Sequence, residues 1–223
     1  MSFLQKVWAI VEKDIAAEIH TKEVMSAMLV FSALATLIFS FALDLRGEVA
    51  EAAAPGVLWT TIAFAGTLGL SRSMVREEQT GCIDGLLLAP VDRAAIFVGK
   101  TLGNLVFMGT VEVLLLPLFS VFFDVALIRP SVFLVLMLGT VGYGAVGTLL
   151  AAVAVNTRAR EVMLPVLLLP LAVPVLIAAV QATGGLLDGA GWAGISGWIR
   201  VLVVYDLVIV AVSLLTFEYI IQE

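Results

Sequence analysis

Six apolar runs, each long enough or nearly long enough to cross a bilayer, restrict this chain more than any other feature. A helix needs ~20 mainly apolar residues to cover ~30 Å of hydrocarbon. Val24–Leu43 and Ala52–Ser71 carry no charge, and Ala94–Phe123 carries Lys100 near its start and Glu112 near its middle. Ser131–Thr157 and Val162–Leu187 follow, and Val201–Phe217, the shortest, holds Asp206. The stretches between them are too short for a second domain, so residues 1–223 are expected to form one all-α transmembrane domain of six spans. Composition agrees: 61% of residues are hydrophobic and 13% charged, against ~45–50% and ~25% in soluble domains. Such a chain lacks the polar residues to cover a water-facing surface. A net charge of −6 argues against a nucleic-acid partner, and the single Cys82 can form no internal disulfide.

Basic residues set the expected orientation. With the N-terminus inside, the cytoplasmic side collects Lys6, Lys13, Lys22, Arg72, Arg76, Arg93, Lys100, Arg158 and Arg160, leaving Arg46, Arg129 and Arg200 outside. Both termini are therefore expected in the cytoplasm. Trp59, Trp192 and Trp198 fall where an outer aromatic belt would lie. Residues 1–23 read as a helix on the inner surface, with Phe3, Leu4, Val7, Trp8, Ile10, Val11, Ile15 and Ile19 on one half of its circumference. Asp14 and Glu18 interrupt that apolar arc. The glycine-rich outer stretch Gln181–Trp198 reads as a loop dipping back into the membrane.

Within the spans, Glu112 and Asp206 are ionisable groups that lipid would penalise by ~2.5–3.5 kcal/mol or more. Each is read either as a polar element of a translocation path or as a neutral, hydrogen-bonded carboxyl, with Asp206 alternatively paired to Arg200. Gly139, Gly142, Gly144 and Gly147 punctuate the fourth span, and Thr140, Gly144, Thr148 and Ala152 repeat at four-residue intervals as a stripe for close helix contact. Pro165, Pro170 and Pro174 must kink or break the fifth span, as a fixed bend or as a hinge.

The longest inside connection, residues 72–93, mixes charge with an apolar cluster. Glu77 and Glu78 precede Ile83, Leu86 and Leu87, which share a face at i, i+3 and i+4, and Pro90 stops the pattern. A short amphipathic helix there needs headgroups or a partner's groove to cover its apolar face.

Glu77 to Gly81, the Leu86-Leu87 pair, Pro90, and Gly99-Lys100 opening the next span resemble the permease subunits of type 2 ABC exporters. Ala54-Pro55-Gly56-Val57-Leu58-Trp59 and the run from Leu167 to Ile177 add a similarity to the CcmB family of that superfamily. The resemblance implies that Glu77, Glu78, Gly81, Ile83, Asp84, Leu86, Leu87 and Pro90 form a coupling helix docking on a separate ATPase. It also implies a cytochrome c maturation complex in the bacterial inner membrane, with CcmA-like, CcmC-like and CcmD-like subunits, the haem chaperone CcmE, and a second copy of this chain. A type 2 exporter of a lipid, drug or glycan, and a subunit that only recruits the ATPase, remain as alternatives.

The chain carries no enzyme site of its own. Gly99-Lys100-Thr101 lacks the leading glycine of a phosphate-binding loop, since Ala94 stands in its place. ATP must therefore be bound by a partner. His20 is the only histidine and lies on the inner side, so neither a metal site nor a histidine-ligated haem site on the outer face can be assembled. Under the resemblance haem is cargo handled by the complex, not a cofactor bound by this chain.

Overall fold

A computed structural model describes residues 2–42, 48–79, 81–82, 85, 91–155 and 160–220. Among them are seven helices: α1 (Phe3–Thr21), α2 (Glu23–Ala42), α3 (Glu48–Gln79), α4 (Arg93–Phe123), α5 (Pro130–Val155), α6 (Arg160–Leu187) and α7 (Gly191–Ile220). Helices α2 to α7 are each long and apolar enough to cross a membrane. The chain is an all-α multi-pass membrane protein.

Local chemistry sets the ends of α1. The Ser2 hydroxyl accepts from the Gln5 amide while the Gln5 side chain accepts from the Ser2 amide, a reciprocal capping box. Lys22 ends the helix in a left-handed conformation at φ 55°, its amide donating to the Glu18 carbonyl at 2.7 Å. The Glu18 carboxylate then accepts the Met25 amide at 2.8 Å, which satisfies one of the exposed donors at the start of α2. The corner between α1 and α2 is thus held by one side chain. Val7, Ile10, Val11 and Glu18 are buried, whereas Leu4, Trp8 and Ile19 form an exposed apolar stripe. An interfacial helix needs both surfaces.

The bundle is built around α3 and α5. Helix α3 touches α2, α4, α5 and α6, and α5 touches α3, α4, α6 and α7. In the most apolar stretch of each, 72% of α3 and 67% of α5 is buried, against 22% for α2 and 17% for α7. The glycines of α5 explain its centrality. A Cβ at Gly139 would strike the Trp59 ring of α3, one at Gly142 would strike Asp206 of α7, and one at Gly147 would strike Leu70 of α3. At Gly144 a Cβ would come within 2.7 Å of Leu105 on α4. These glycines therefore admit three different neighbours, while Thr140, Gly144 and Thr148 of the four-residue stripe all face α4, meeting Glu112, Leu105 and Asn104.

Several expectations are corrected. Helix α3 runs eight residues past Ser71 to Gln79, so the first part of the expected inside connection is helix. Gln181–Trp198 is not a re-entrant loop. Residues 181–187 finish α6, 188–190 connect, and α7 begins at Gly191. Gly189 (φ 74°) and Gly191 (φ 63°) make that sharp turn possible, and the last span is correspondingly longer than Val201–Phe217. Trp59 is a core residue rather than part of a belt, with its indole N–H donating to Thr183 at 3.0 Å across α3 and α6. Trp192 and Trp198 are exposed. Helix α6 continues unbroken through Pro165, Pro170 and Pro174. Between the last two, the Leu171 carbonyl accepts the Tyr205 hydroxyl at 2.8 Å, tying α6 to α7 at the level where the backbone ladder is interrupted.

Candidate functional site

Four charged side chains close a ring where α1, α3 and α4 meet. Lys13 and Asp14 come from α1, Glu77 from the last turn of α3, and Lys100 from the second turn of α4. Lys100 Nζ lies 2.9 and 2.8 Å from the two Asp14 oxygens and pairs with Glu77 on its other side. Lys13 Nζ lies 2.6 Å from Glu77 and 3.1 Å from Asp14. Signs alternate around the ring and sum to zero. Burial of an ion is tolerated when opposite charges and hydrogen bonds replace water, and Lys100 is only 4% exposed.

Burial alone would lower the Lys13 pKa, but the Glu77 hydrogen bond and the Asp14 and Glu77 charges outweigh it and hold the pKa above the ordinary lysine value of 10.5. The stability Lys13 contributes as a cation is complete below 10.5 and is lost only as pH rises through the raised value. Changes within the neutral range therefore leave the Lys13 links in place.

Two flanking pairs extend the ring along α1. Arg76 of α3 meets Glu18 at 3.3 Å and the Ala17 carbonyl at 2.9 Å, and Lys6 meets Asp92, the residue capping α4, at 3.4 Å. Glycines bring the helices close enough for these contacts. A Cβ at Gly99 would sit 2.9 Å from the Ile10 side chain and 3.2 Å from the Val7 carbonyl oxygen, and one at Gly103 would sit 3.3 Å from the Asp14 carboxylate. Gly99-Lys100 is therefore a docking surface for α1: the glycine removes bulk, and the lysine supplies the countercharge.

From Lys100 a line of buried polar groups continues along α4. Asn104 and Glu112 follow at multiples of four residues, ~18 Å along the helix from Lys100 to Glu112. Asn104 donates to Thr148 at 3.0 Å, and Glu112 accepts from Thr140, both partners on α5. The Tyr143 and Thr67 hydroxyls lie 2.6 Å apart, and each reaches the Ala63 carbonyl of α3. Hydrogen bonds across apolar helices fix their register, because each group would otherwise be unsatisfied in hydrocarbon. Asp206 is turned against Gly142 on the opposite side of α5, while Arg200 is exposed; the two are not paired among the described residues. Among those residues no cluster of His, Cys, Asp or Glu is placed to hold a metal ion.

Of the coupling residues expected from sequence, Glu77 is buried in the ring and Glu78 is exposed at the end of α3. Gly81 takes the left-handed conformation (φ 65°) that ends the helix, its amide donating to the Glu78 carbonyl at 3.0 Å. Ile83, Asp84, Leu86, Leu87 and Pro90 lie outside the described residues. Nothing in the sequence brings the ring's other members together. In the sequence Asp14 shows only as an interruption of the apolar arc of α1, and Lys100 as a charge in an apolar run and half of the Gly99-Lys100 motif, with nothing to pair the two.

Compared with known proteins, the sequence matches the family described as CcmB protein over residues 5–221. It is 29% identical over 175 residues to Heme exporter protein B of Pseudomonas aeruginosa, covering 78% of each chain. To Heme exporter protein B of Rhodobacter capsulatus it is 29% identical over 176 residues, 78% of this chain and 80% of the relative. To that of Paracoccus denitrificans the identity is 29% over 157 residues, 70% of this chain and 72% of the relative.

Proposed function

Because this chain belongs to the CcmB family, we propose that it is the permease subunit of a haem-handling ABC complex of the bacterial inner membrane, with the α1 side of the bundle in the cytoplasm. Its contribution is mechanical. A separate ATPase docks on the segment between α3 and α4, whose two roots are Glu77 and Lys100. Movement of that segment reaches α1, α3 and α4 together through the charged ring, and passes into the bundle along the polar contacts between α4 and α5. The outcome is release of the haem-loaded chaperone on the opposite side of the membrane.

The observation that carries this reading is the family match across nearly the whole chain. The ring adds a physical route from the docking segment to the spans. His20, the only histidine, sits exposed at the α1 end with its Nδ1 2.7 Å from the Ala16 carbonyl. Histidine ligation of haem on the far side must therefore come from other chains, and haem is cargo of the complex. Two copies of this chain around the ATPase pair, together with CcmC-like and CcmD-like subunits, complete the assembly.

Haem staining of cells lacking this chain tests the proposal. Haem accumulating on the chaperone while mature c-type cytochromes disappear is the expected result. Normal cytochromes would overturn it and turn the search to an exported lipid, drug or glycan.

A further inference from the structure

An open groove of about 310 Å³ lies between the C-terminal half of α1, the start of α2 and the middle of α4. Ile15, Ile19, Met25, Val106 and Phe107 give it apolar walls, and Lys22 and Thr110 also line it. The groove continues the exposed apolar stripe of α1, Leu4, Trp8 and Ile19, so it opens where α1 meets lipid rather than water. Glu18 also lines it, but that carboxylate is already engaged by Arg76 and the Met25 amide. Lys22 is exposed, and among the described residues its ammonium has no hydrogen-bonded or ionic partner.

Lys22 has a left-handed backbone, its φ of 55° a helix-ending conformation in which glycine is least strained. A lysine at this corner puts a cation beside an apolar groove, at the level where an interfacial helix meets headgroups.

We infer that this groove is a binding site for one anionic phospholipid of the leaflet on the α1 side. Its phosphate lies against Lys22, and an acyl chain runs between Ile19 and Met25 toward Val106. Such a lipid would fill the gap between α1 and α2, which touch each other far less than α1 touches α4. The inference depends on the membrane location and not on the haem-handling role.

The test uses the chain purified with its complex, reconstituted with photoactivatable acyl-labelled phosphatidylglycerol or, in parallel, phosphatidylcholine. Peptides covering residues 15–25 and 106–110 should label about five-fold more with the phosphatidylglycerol probe, the ~1 kcal/mol that one basic residue near an anionic surface contributes. Lys22→Gln should reduce that labelling to the phosphatidylcholine level without changing labelling of the outer face of α7. Val106→Trp, which fills the groove, should remove labelling by both probes from these peptides. Equal labelling by the two probes in the unaltered chain, an excess that survives Lys22→Gln, or exclusion of both probes because a subunit of the complex covers the groove would overturn the inference.

Discussion

Lys100→Met is expected to release α1 from the bundle. The substitution preserves most of the apolar stem and removes the ammonium, leaving Asp14 and Glu77 facing each other with Lys13 as their remaining shared cation. Breaking one partner out of a buried ion pair costs ~3–5 kcal/mol, because the abandoned charge has no water to return to. Lys13→Met removes a cation from the same ring, but the Lys13 side chain is 36% exposed against 4% for Lys100. Water can replace much of what is lost there, and the cost should stay within the ~0–1 kcal/mol typical of exposed pairs. Protease cleavage after Lys22, measured in native membranes, separates the two. Rapid cleavage in Lys100→Met and near-normal protection in Lys13→Met is the expected pattern, and equal protection in both would mean that the ring does not hold α1.

Leu87→Asp should abolish binding of the ATPase while the chain still inserts. Leu87 lies outside the described residues, so the expectation rests on the spacing of Ile83, Leu86 and Leu87 along one helical face between the roots at Glu77 and Lys100. A carboxylate at the centre of a closed apolar contact must either be desolvated or force the partner away. Loss of a central apolar anchor costs at least ~2 kcal/mol, roughly thirty-fold in affinity, before the charge is counted. Co-purification of the ATPase at the level of the unaltered chain would rule out this face as its dock.

The spans were legible because hydrocarbon imposes one simple demand, ~20 apolar residues per crossing, and a linear sequence records it directly. Pairing between distant charges is not recorded that way. Asp14 and Glu18 looked like flaws in the apolar arc of α1, yet they are where Lys100 and Arg76 dock. For the same reason α3 continues beyond Ser71: Arg76 and Glu77 find partners on α1, so they can remain helical at the membrane boundary. Trp59 shows the converse. Its position along the span suggested an interface, but a cleft opposite Gly139 and a hydroxyl on Thr183 make the interior a better place for an indole. The turn at residues 188–190 is hidden in the sequence because dense glycine also fits irregular backbone, whereas two positive-φ glycines, Gly189 and Gly191, suffice for a tight reversal between long helices. Glu112 is the middle case: the sequence offers a path element or a neutral hydrogen-bonded carboxyl, and the Thr140 hydroxyl donates to it, a bond that either reading accommodates.

If the charged ring transmits movement of the docking segment, Glu77→Gln should break the transmission while leaving the ATPase bound. Glutamine keeps the shape and one acceptor while removing the charge that joins α3 to both lysines. Haem on the chaperone and mature c-type cytochromes would be measured in one strain, with insertion and ATPase co-purification matched to the unaltered chain. A roughly ten-fold fall in mature cytochromes is expected, within the range by which a coupling element modulates distant sites, together with haem-loaded chaperone accumulating. Normal cytochromes with the ATPase bound would contradict it, leaving the ring as a fastening for α1 that takes no part in coupling.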